Sequence, residues 1–311
     1  MSRTNETLTI TPTPAAAAVQ TSIFLLLMLA GVLGNGSICF FVFRFKSLRT
    51  IPNILLTNLA TIDLLNIIIN VPLSISSLIY DVKVLHTKAA ALWTFLVTVL
   101  FVQLNLASML LLVVDRYFAL AYPVQYISRR THSKTFRAIY AAWICCLFIT
   151  GCFSIPLYDM ELGGKSLRYY IIAYSTRISY KKYALLGIII VMGVNIVVSS
   201  LTVRKVFRES LRKTAENKRH SLRSNAPRTK TSNAVKSVCT IMIVLLVYIV
   251  CFVGRISFTF VFLNSSEHSQ LYIFLAQFCL FCGSTWNSFI YAVRSTEFRN
   301  AWRETFKFNK N

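Results

Sequence analysis

Acidic side chains are scarce in this chain. Its 311 residues carry 11 Asp and Glu against 33 Lys and Arg, and charged residues of both signs make up 14% of the total. With 55% hydrophobic residues and a mean hydropathy of +0.59, that leaves no room for a large soluble domain beside a membrane bundle. A net charge of +22 could suggest nucleic acid. The basic residues, however, sit in the gaps between apolar runs, where they orient a chain in a membrane and meet anionic lipid. Cysteine is missing from every loop. Cys39, Cys145, Cys146, Cys152, Cys239, Cys251, Cys279 and Cys282 all fall inside apolar runs, so no loop-pinning disulfide is expected and the thiols read as small buried apolar groups. Cys279 and Cys282 have C-x-x-C spacing without a histidine nearby. The four histidines (His86, His132, His220, His268) are scattered over separate loops, and no metal centre built on them is readable.

What the chain has in quantity is long apolar runs. Seven are present: Val19–Phe43, Ile51–Tyr80, Ala89–Val114, Ala138–Leu157, Tyr183–Val203, Ser237–Leu263 and Leu271–Val293. Each can cross a bilayer as a helix, which predicts an all-α membrane protein, a seven-transmembrane helix bundle over residues 19–293. Residues 1–18 read as a short extracellular tail. The first run is too long for a signal-peptide core and has no convincing cleavage site, so it is expected to be retained. Lys and Arg number 23 on one side of the seven spans and 8 on the other. By the positive-inside rule the amino terminus is then extracellular and the carboxyl terminus cytoplasmic. The sequons at Asn5 and Asn264 both fall outside, where glycosylation can occur. The basic segment Arg204–Lys236 faces anionic lipid inside. In residues 294–311, Phe298, Trp302 and Phe306 recur every fourth residue among Arg294, Arg299, Arg303 and Lys307. That spacing predicts a short amphipathic helix on the inner membrane surface, followed by a cytoplasmic tail.

Two places in the runs carry charge. The third run ends abruptly in Asp115-Arg116-Tyr117, which alone reads as a helix end with an aromatic anchor and a snorkelling arginine. Asp63 is the only acid inside any run, and Asn35, Asn105, Ser284 and Asn287 lie at comparable depth. A carboxylate there is costly and needs interior partners, supplied either by an interhelical polar network or by a small cation such as sodium held by Asp63, Asn105, Ser284 and Asn287.

Taken in order, the short motifs resemble one family. They are Gly34-Asn35, N-L-A-T-I-D (Asn58–Asp63), D-R-Y (Asp115–Tyr117), Pro123 just after it, Trp143, and N-S-F-I-Y (Asn287–Tyr291) leading into the surface helix. Along nearly its whole length the chain resembles a rhodopsin-like (class A) G-protein-coupled receptor. The resemblance implies a receptor that takes an extracellular signal and opens a cytoplasmic cleft to a heterotrimeric G protein. Arg116 would be the switch, held by Asp115 at rest and released toward the G protein and Tyr291; with Tyr117 these form the coupling site. Set against the family, the chain also departs from it. C-W-x-P appears as Cys251-Phe252-Val253-Gly254, and N-P-x-x-Y has Ser288 for proline. The fifth-span proline and tyrosine appear as Gly187 and Asn195. Three kinks are then no longer imposed by a proline ring and its missing donor. The usual outer cysteine of span three is Ala91, and the loop Tyr158–Lys182 offers no cysteine to pair with it. The acid that often restrains Arg116 from span six is Ala234, so some basal activity is expected.

The same resemblance bears on the ligand. Thr98 stands where amine receptors carry an acid, which disfavours a monoamine. Span seven has no lysine for a retinal Schiff base. Arg255 is the one basic residue strictly inside an apolar run, ~12 Å below the outer end of span six by helical rise. It can snorkel or bond a neighbour such as Gln277. Following the proline-equivalent Gly254, it also lies where the family's pocket is lined. There it suits a carboxylate or phosphate head group, with the ligand's apolar part among Phe252, Phe258 and Phe278. The expectation is a plasma-membrane receptor without catalytic activity or a resident cofactor. A non-signalling seven-helix binding or scaffold protein is the alternative. A channel or transporter is disfavoured by the lack of internal repeats and of serial membrane-embedded charges.

Overall fold

The structure is a computed structural model and describes residues 12–80, 82, 87–158, 193–198, 200–202, 204–205, 208, 229–264 and 269–305. Thr13 starts the first helix, α1 (Pro14–Arg44). Its Oγ1 accepts from the Ala16 N–H at 3.3 Å, and Pro14 sits where no N–H donor is needed. The Ala-rich stretch before Val19 is therefore helical rather than tail, as its propensity favours. Arg49 folds back over the end of α1, donating to the carbonyls of Val42 and Phe43, so a basic side chain satisfies the helix's last acceptors. A single 3₁₀ turn, Lys46–Leu48, leads into α2 (Ile51–Ser74). Pro72 removes a donor near its end, and the helix widens into i→i+5 turns over Ile75–Ile79, where the Tyr80 N–H reaches the Ile75 carbonyl at 3.1 Å.

Thr87 caps α3 (Lys88–Ala121) through the Ala90 N–H at 3.1 Å. Tyr122 leaves helical geometry and Pro123 opens the short α4 (Pro123–Arg129). Then come α5 (His132–Tyr158), a helical stretch over Gly193–Thr202, α6 (Thr229–Asn264), α7 (Ser269–Arg294) and α8 (Thr296–Thr305). Among the described residues, five helices are long and apolar enough to cross a membrane: Pro14–Arg44, Ile51–Ile79, Leu92–Ala121, His132–Cys152 and Leu271–Arg294. Shorter apolar stretches, Gly193–Thr202 and Met242–Phe258, fall on the predicted fifth and sixth spans. Among the described residues there is no strand. The all-helical membrane bundle read from the sequence is what is found.

Among the described helices, the first and the last long ones, α1 and α7, pack against each other. α7 packs most extensively on α6 and also on α1 and α2; α3 packs on α2 and α5 and touches α6 only lightly. Phe24 of α1 meets Phe274 and Phe281 of α7 with centroids 5.0 and 5.3 Å apart. Two glycines of α1 permit close packing. A Cβ on Gly31 would overlap Ile67 Cδ1, and one on Gly34 would overlap Ser288 Oγ. Outward faces carry Leu25, Leu26, Leu29 and Leu33 of α1 and Ile144, Leu147 and Phe148 of α5, where hydrocarbon is the natural neighbour. The same geometry corrects the expectation for the thiols. Cys146 and Cys282 are buried, but Cys145, Cys152 and Cys239 are exposed, because they lie on faces of α5 and α6 turned away from the bundle. All eight cysteines are free. α8 turns back beneath α1, burying Phe298 and Ala301 and setting Trp302 edge-on to Phe41 at 5.8 Å. Phe306, Gly187, Asn5 and the loop Tyr158–Lys182 (beyond Tyr158 itself) lie outside the described residues, as do the side chains of Ala91, Ala234 and Asn264.

Candidate functional site

The third helix ends where the sequence places its charges, and the structure adds partners from beyond the helix. Asp115 is wholly buried. Its Oδ2 accepts from Arg116 through Nη2 at 2.5 Å and Nε at 3.2 Å. Its Oδ1 accepts from Arg130 Nη2 at 2.8 Å and from the Tyr126 hydroxyl at 3.0 Å. Pro123 makes this possible: it starts α4 just after the break at Tyr122, and the short helix returns Tyr126 and then Arg130 beneath the end of α3. The Arg130 guanidinium also lies 5.9 Å from the Tyr126 ring centroid. Burial, and next the negative charge of Asp115, push the Tyr126 phenol up to about 12, so it stays protonated and donates. Tyr117 stands outside the cluster, edge-on to Phe118 at 5.7 Å. The tyrosine that reaches Asp115 is Tyr126. Sequence reading missed both Tyr126 and Arg130; the one signal was a tyrosine and an arginine following Pro123 within a turn or two of helix. Tyr291 is buried on α7, its hydroxyl without a hydrogen-bond partner.

Deeper in the bundle, Asp63 is also fully buried. Asn287 Nδ2 donates to its Oδ2 at 2.9 Å, and Ser284 and Asn105 lie beside the same carboxylate. The four residues grouped from the sequence are therefore brought together. Several buried oxygens of this region have no hydrogen-bond partner: Asp63 Oδ1, Asn105 Oδ1 and Asn287 Oδ1, and Asn35 Oδ1 on α1. One acid with several unpaired neutral oxygens fits a hard cation, which takes oxygen ligands. Among the described residues there is no cluster of three His, Cys, Asp or Glu for a softer metal. A ladder leads outward from this site. Thr98 Oγ1 donates to Asn70 Oδ1 (3.2 Å), Asn70 Nδ2 to Asn66 Oδ1 (2.7 Å), and Asn66 Nδ2 to Ser284 Oγ (3.1 Å). Asn66 and Asn70 were not singled out from the sequence, although their spacing of three and seven from Asp63 puts them on its helical face.

At the opposite end from Arg116, Arg255 Nη1 donates to Gln277 Oε1 across α6 and α7 at 3.4 Å. Phe252 is buried in the bundle core and stacks on Tyr248, one turn earlier on α6 (6.2 Å, 11° between planes). Phe258 and Phe278 are half-buried, the latter beside Phe274 with centroids 6.2 Å apart. A Cβ at Gly254 would stand 3.0 Å from Cys279 Sγ, so the two helices approach closely here.

Motif residues from different spans also meet directly. Trp143 Nε1 donates to Asn58 Oδ1 (3.0 Å), and Asn58 Nδ2 to Ser108 Oγ (2.8 Å), which joins α5, α2 and α3. Asn35 Nδ2 reaches the Ser284 carbonyl at 3.1 Å. Asn195 Nδ2 reaches the Leu106 carbonyl at 3.4 Å. At the Arg116 end, Arg294 Nε donates to Thr240 Oγ1 at 3.0 Å, tying α7 to α6.

A multi-pass helical bundle with a buried acid–arginine pair at one end and a buried acid at its centre defines a seven-helix membrane receptor architecture. Residues 34–291 match the family described as 7 transmembrane receptor (rhodopsin family), and the chain belongs to that family, whose members are receptors and not enzymes. Among similar proteins, a 5-hydroxytryptamine receptor of Lymnaea stagnalis is 32% identical over 133 residues, 42% of this chain and 26% of the relative. Neuromedin-U receptor 1 of Homo sapiens is 32% identical over 123 residues, 39% and 28% of the two chains. An octopamine receptor of Heliothis virescens is 26% identical over 134 residues, 43% and 28%. The chain thus matches well under half of these relatives' length.

Proposed function

We propose that this protein is a plasma-membrane G-protein-coupled receptor with its amino terminus outside. Binding of an extracellular ligand opens a cleft at the Arg116 end to a heterotrimeric G protein. The supporting observation is the Asp115–Arg116 pair, a guanidinium held against a buried carboxylate at the mouth of the bundle. Beside it, α4 presents Val124 and Ile127, 79% and 81% exposed beyond the membrane span, as apolar contacts for a partner. The test is guanine-nucleotide exchange on a panel of G proteins. Arg116→Ala abolishes exchange while surface expression, and glycosylation at Asn5 and Asn264, persist. Equal exchange by the variant sinks the receptor reading and favours a non-signalling binding or scaffold protein, a second reading supported by Gly254 and Ser288 standing where the family has kink prolines.

The relatives' names (5-hydroxytryptamine, neuromedin-U, octopamine) do not agree on a ligand. For this chain the reading is an anionic ligand, a fatty acid, lysophospholipid or small carboxylate, with its head group on Arg255 and Gln277 and its tail toward Phe258 and Phe278. Phe252, packed on Tyr248, serves as the floor. Screening anionic and neutral libraries against wild type and Arg255→Gln decides it; an activating ligand that is neutral, or unchanged potency in the variant, makes Arg255 structural. Asp63, Asn105, Ser284 and Asn287 are read as an allosteric sodium site, and the unpartnered oxygens of Asp63, Asn105 and Asn287 support this. The remaining partner is the bilayer, with nucleic acid excluded by where the basic residues fall.

A further inference from the structure

Asp115 has two arginines where a switch needs one. A buried carboxylate that loses its only cation is left as an uncompensated charge, which strongly opposes the loss. Here Arg116 occupies Oδ2 alone, while Arg130 and Tyr126 occupy Oδ1. The two sets of donors approach different oxygens, so one can depart without disturbing the other. We infer that Arg130, helped by Tyr126, sets how readily the Arg116 switch opens, by keeping Asp115 paired after Arg116 has left. Arg130 is a positioning residue carried by the loop after α4, and the inference rests on the reading of Arg116 as the switch.

Among the described residues, the other charged groups around this corner do not substitute for Arg130. On α2 no titratable side chain precedes Asp63. On α5, Lys134 gives its ammonium to the Arg129 carbonyl (2.8 Å), and His132 and Arg137 are exposed. On α7, Tyr291 lies toward Arg116, and Arg294 donates to Thr240 of α6.

The experiment reads the position of α6 with an environment-sensitive fluorophore on the exposed Cys239. The receptor is held in lipid nanodiscs, in a Cys145→Ser, Cys152→Ser, His132→Gln background, across mildly acidic to neutral pH. In Arg130→Gln the open-to-closed ratio at neutral pH falls by about tenfold, because opening now orphans a buried charge. That ratio rises as the medium is acidified, because the open form, with Asp115 unpaired, binds a proton more tightly than the closed form. The parent protein shows a flatter pH profile, Arg130→Lys restores it, and adding Asp115→Asn to Arg130→Gln abolishes the pH dependence. An Arg130→Gln profile that overlays the parent, or a variant more open at neutral pH, overturns the inference. The fluorophore needs no G protein. If α6 moves as stated while exchange on every G protein is absent, the receptor reading fails and this one stands.

Discussion

Asp63 and Asp115 lie on neighbouring helices, and neither has any exposed surface. Their surroundings are opposite. Asp115 collects two guanidiniums and a phenol on its two oxygens. Asp63 has the Asn287 amide on one oxygen, and its other oxygen, like the side-chain oxygens of Asn105 and Asn287, is buried without a hydrogen-bond partner. One acid faces positive charge in excess. The other lies beside oxygens that have no hydrogen-bond partner. A buried acid by itself indicates neither; the number and kind of its donors does.

The comparison can be broken at either end. The largest effect is expected from Asp115→Ala, which strands two guanidiniums and should cost about 3–5 kcal/mol of stability. Thermal inactivation of the detergent-solubilised protein measures it, and a loss no larger than an exposed pair would give contradicts the oversupplied picture. Asp63 should behave differently. Sodium, compared with choline at equal ionic strength, should stabilise the wild type by about 1.4 kcal/mol per tenfold rise above its dissociation constant, and should leave Asp63→Asn unmoved. If both respond alike, the site is a hydrogen-bonded network without a cation. Asn58→Ala is a neutral comparator: it strips Trp143 and Ser108 of partners and should cost about 1–3 kcal/mol, with no sodium dependence. The smallest effect is expected at the α6–α7 tie. Losing one hydrogen bond in Arg294→Ala, about 0.5–1.5 kcal/mol, should raise ligand-independent nucleotide exchange several-fold at most. Unchanged basal exchange means the Arg294–Thr240 bond does not restrain α6.

Where the sequence succeeded, the signal was local. Apolar runs locate the helices because a bilayer-length helix needs ~20 apolar residues in a row, and those are countable. Asp63, Asn105, Ser284 and Asn287 could be grouped because depth along a helix scales with residue number. Asn66 and Asn70 were readable by the same rule, from their spacing to Asp63. Tyr126 and Arg130 were not, because the break at Tyr122 interrupts helical periodicity and only the folded path of α4 shows that the chain doubles back. Phe252 shows a different limit. Its residue number puts it on α6 but does not say how deeply its face is buried, and in the structure the ring is buried and stacks on Tyr248, one turn earlier on the same helix.

The contact between Gly34 and Ser288 has a consequence for anyone redesigning this receptor. Ser288 Oγ already donates to the Thr285 carbonyl at 2.9 Å, and a Cβ on residue 34 would occupy the space that hydroxyl fills. Two residues far apart in the chain therefore specify one small volume. The Ser284 carbonyl, which the helical ladder assigns to the Ser288 N–H, also accepts from Asn35, the residue next to Gly34. Grafting the family's proline onto position 288 alters the shared volume and the shared acceptor at once. Its fitness effect is thus set by the residues at 34 and 35, and a mutational scan should record strong epistasis between the first span and the last.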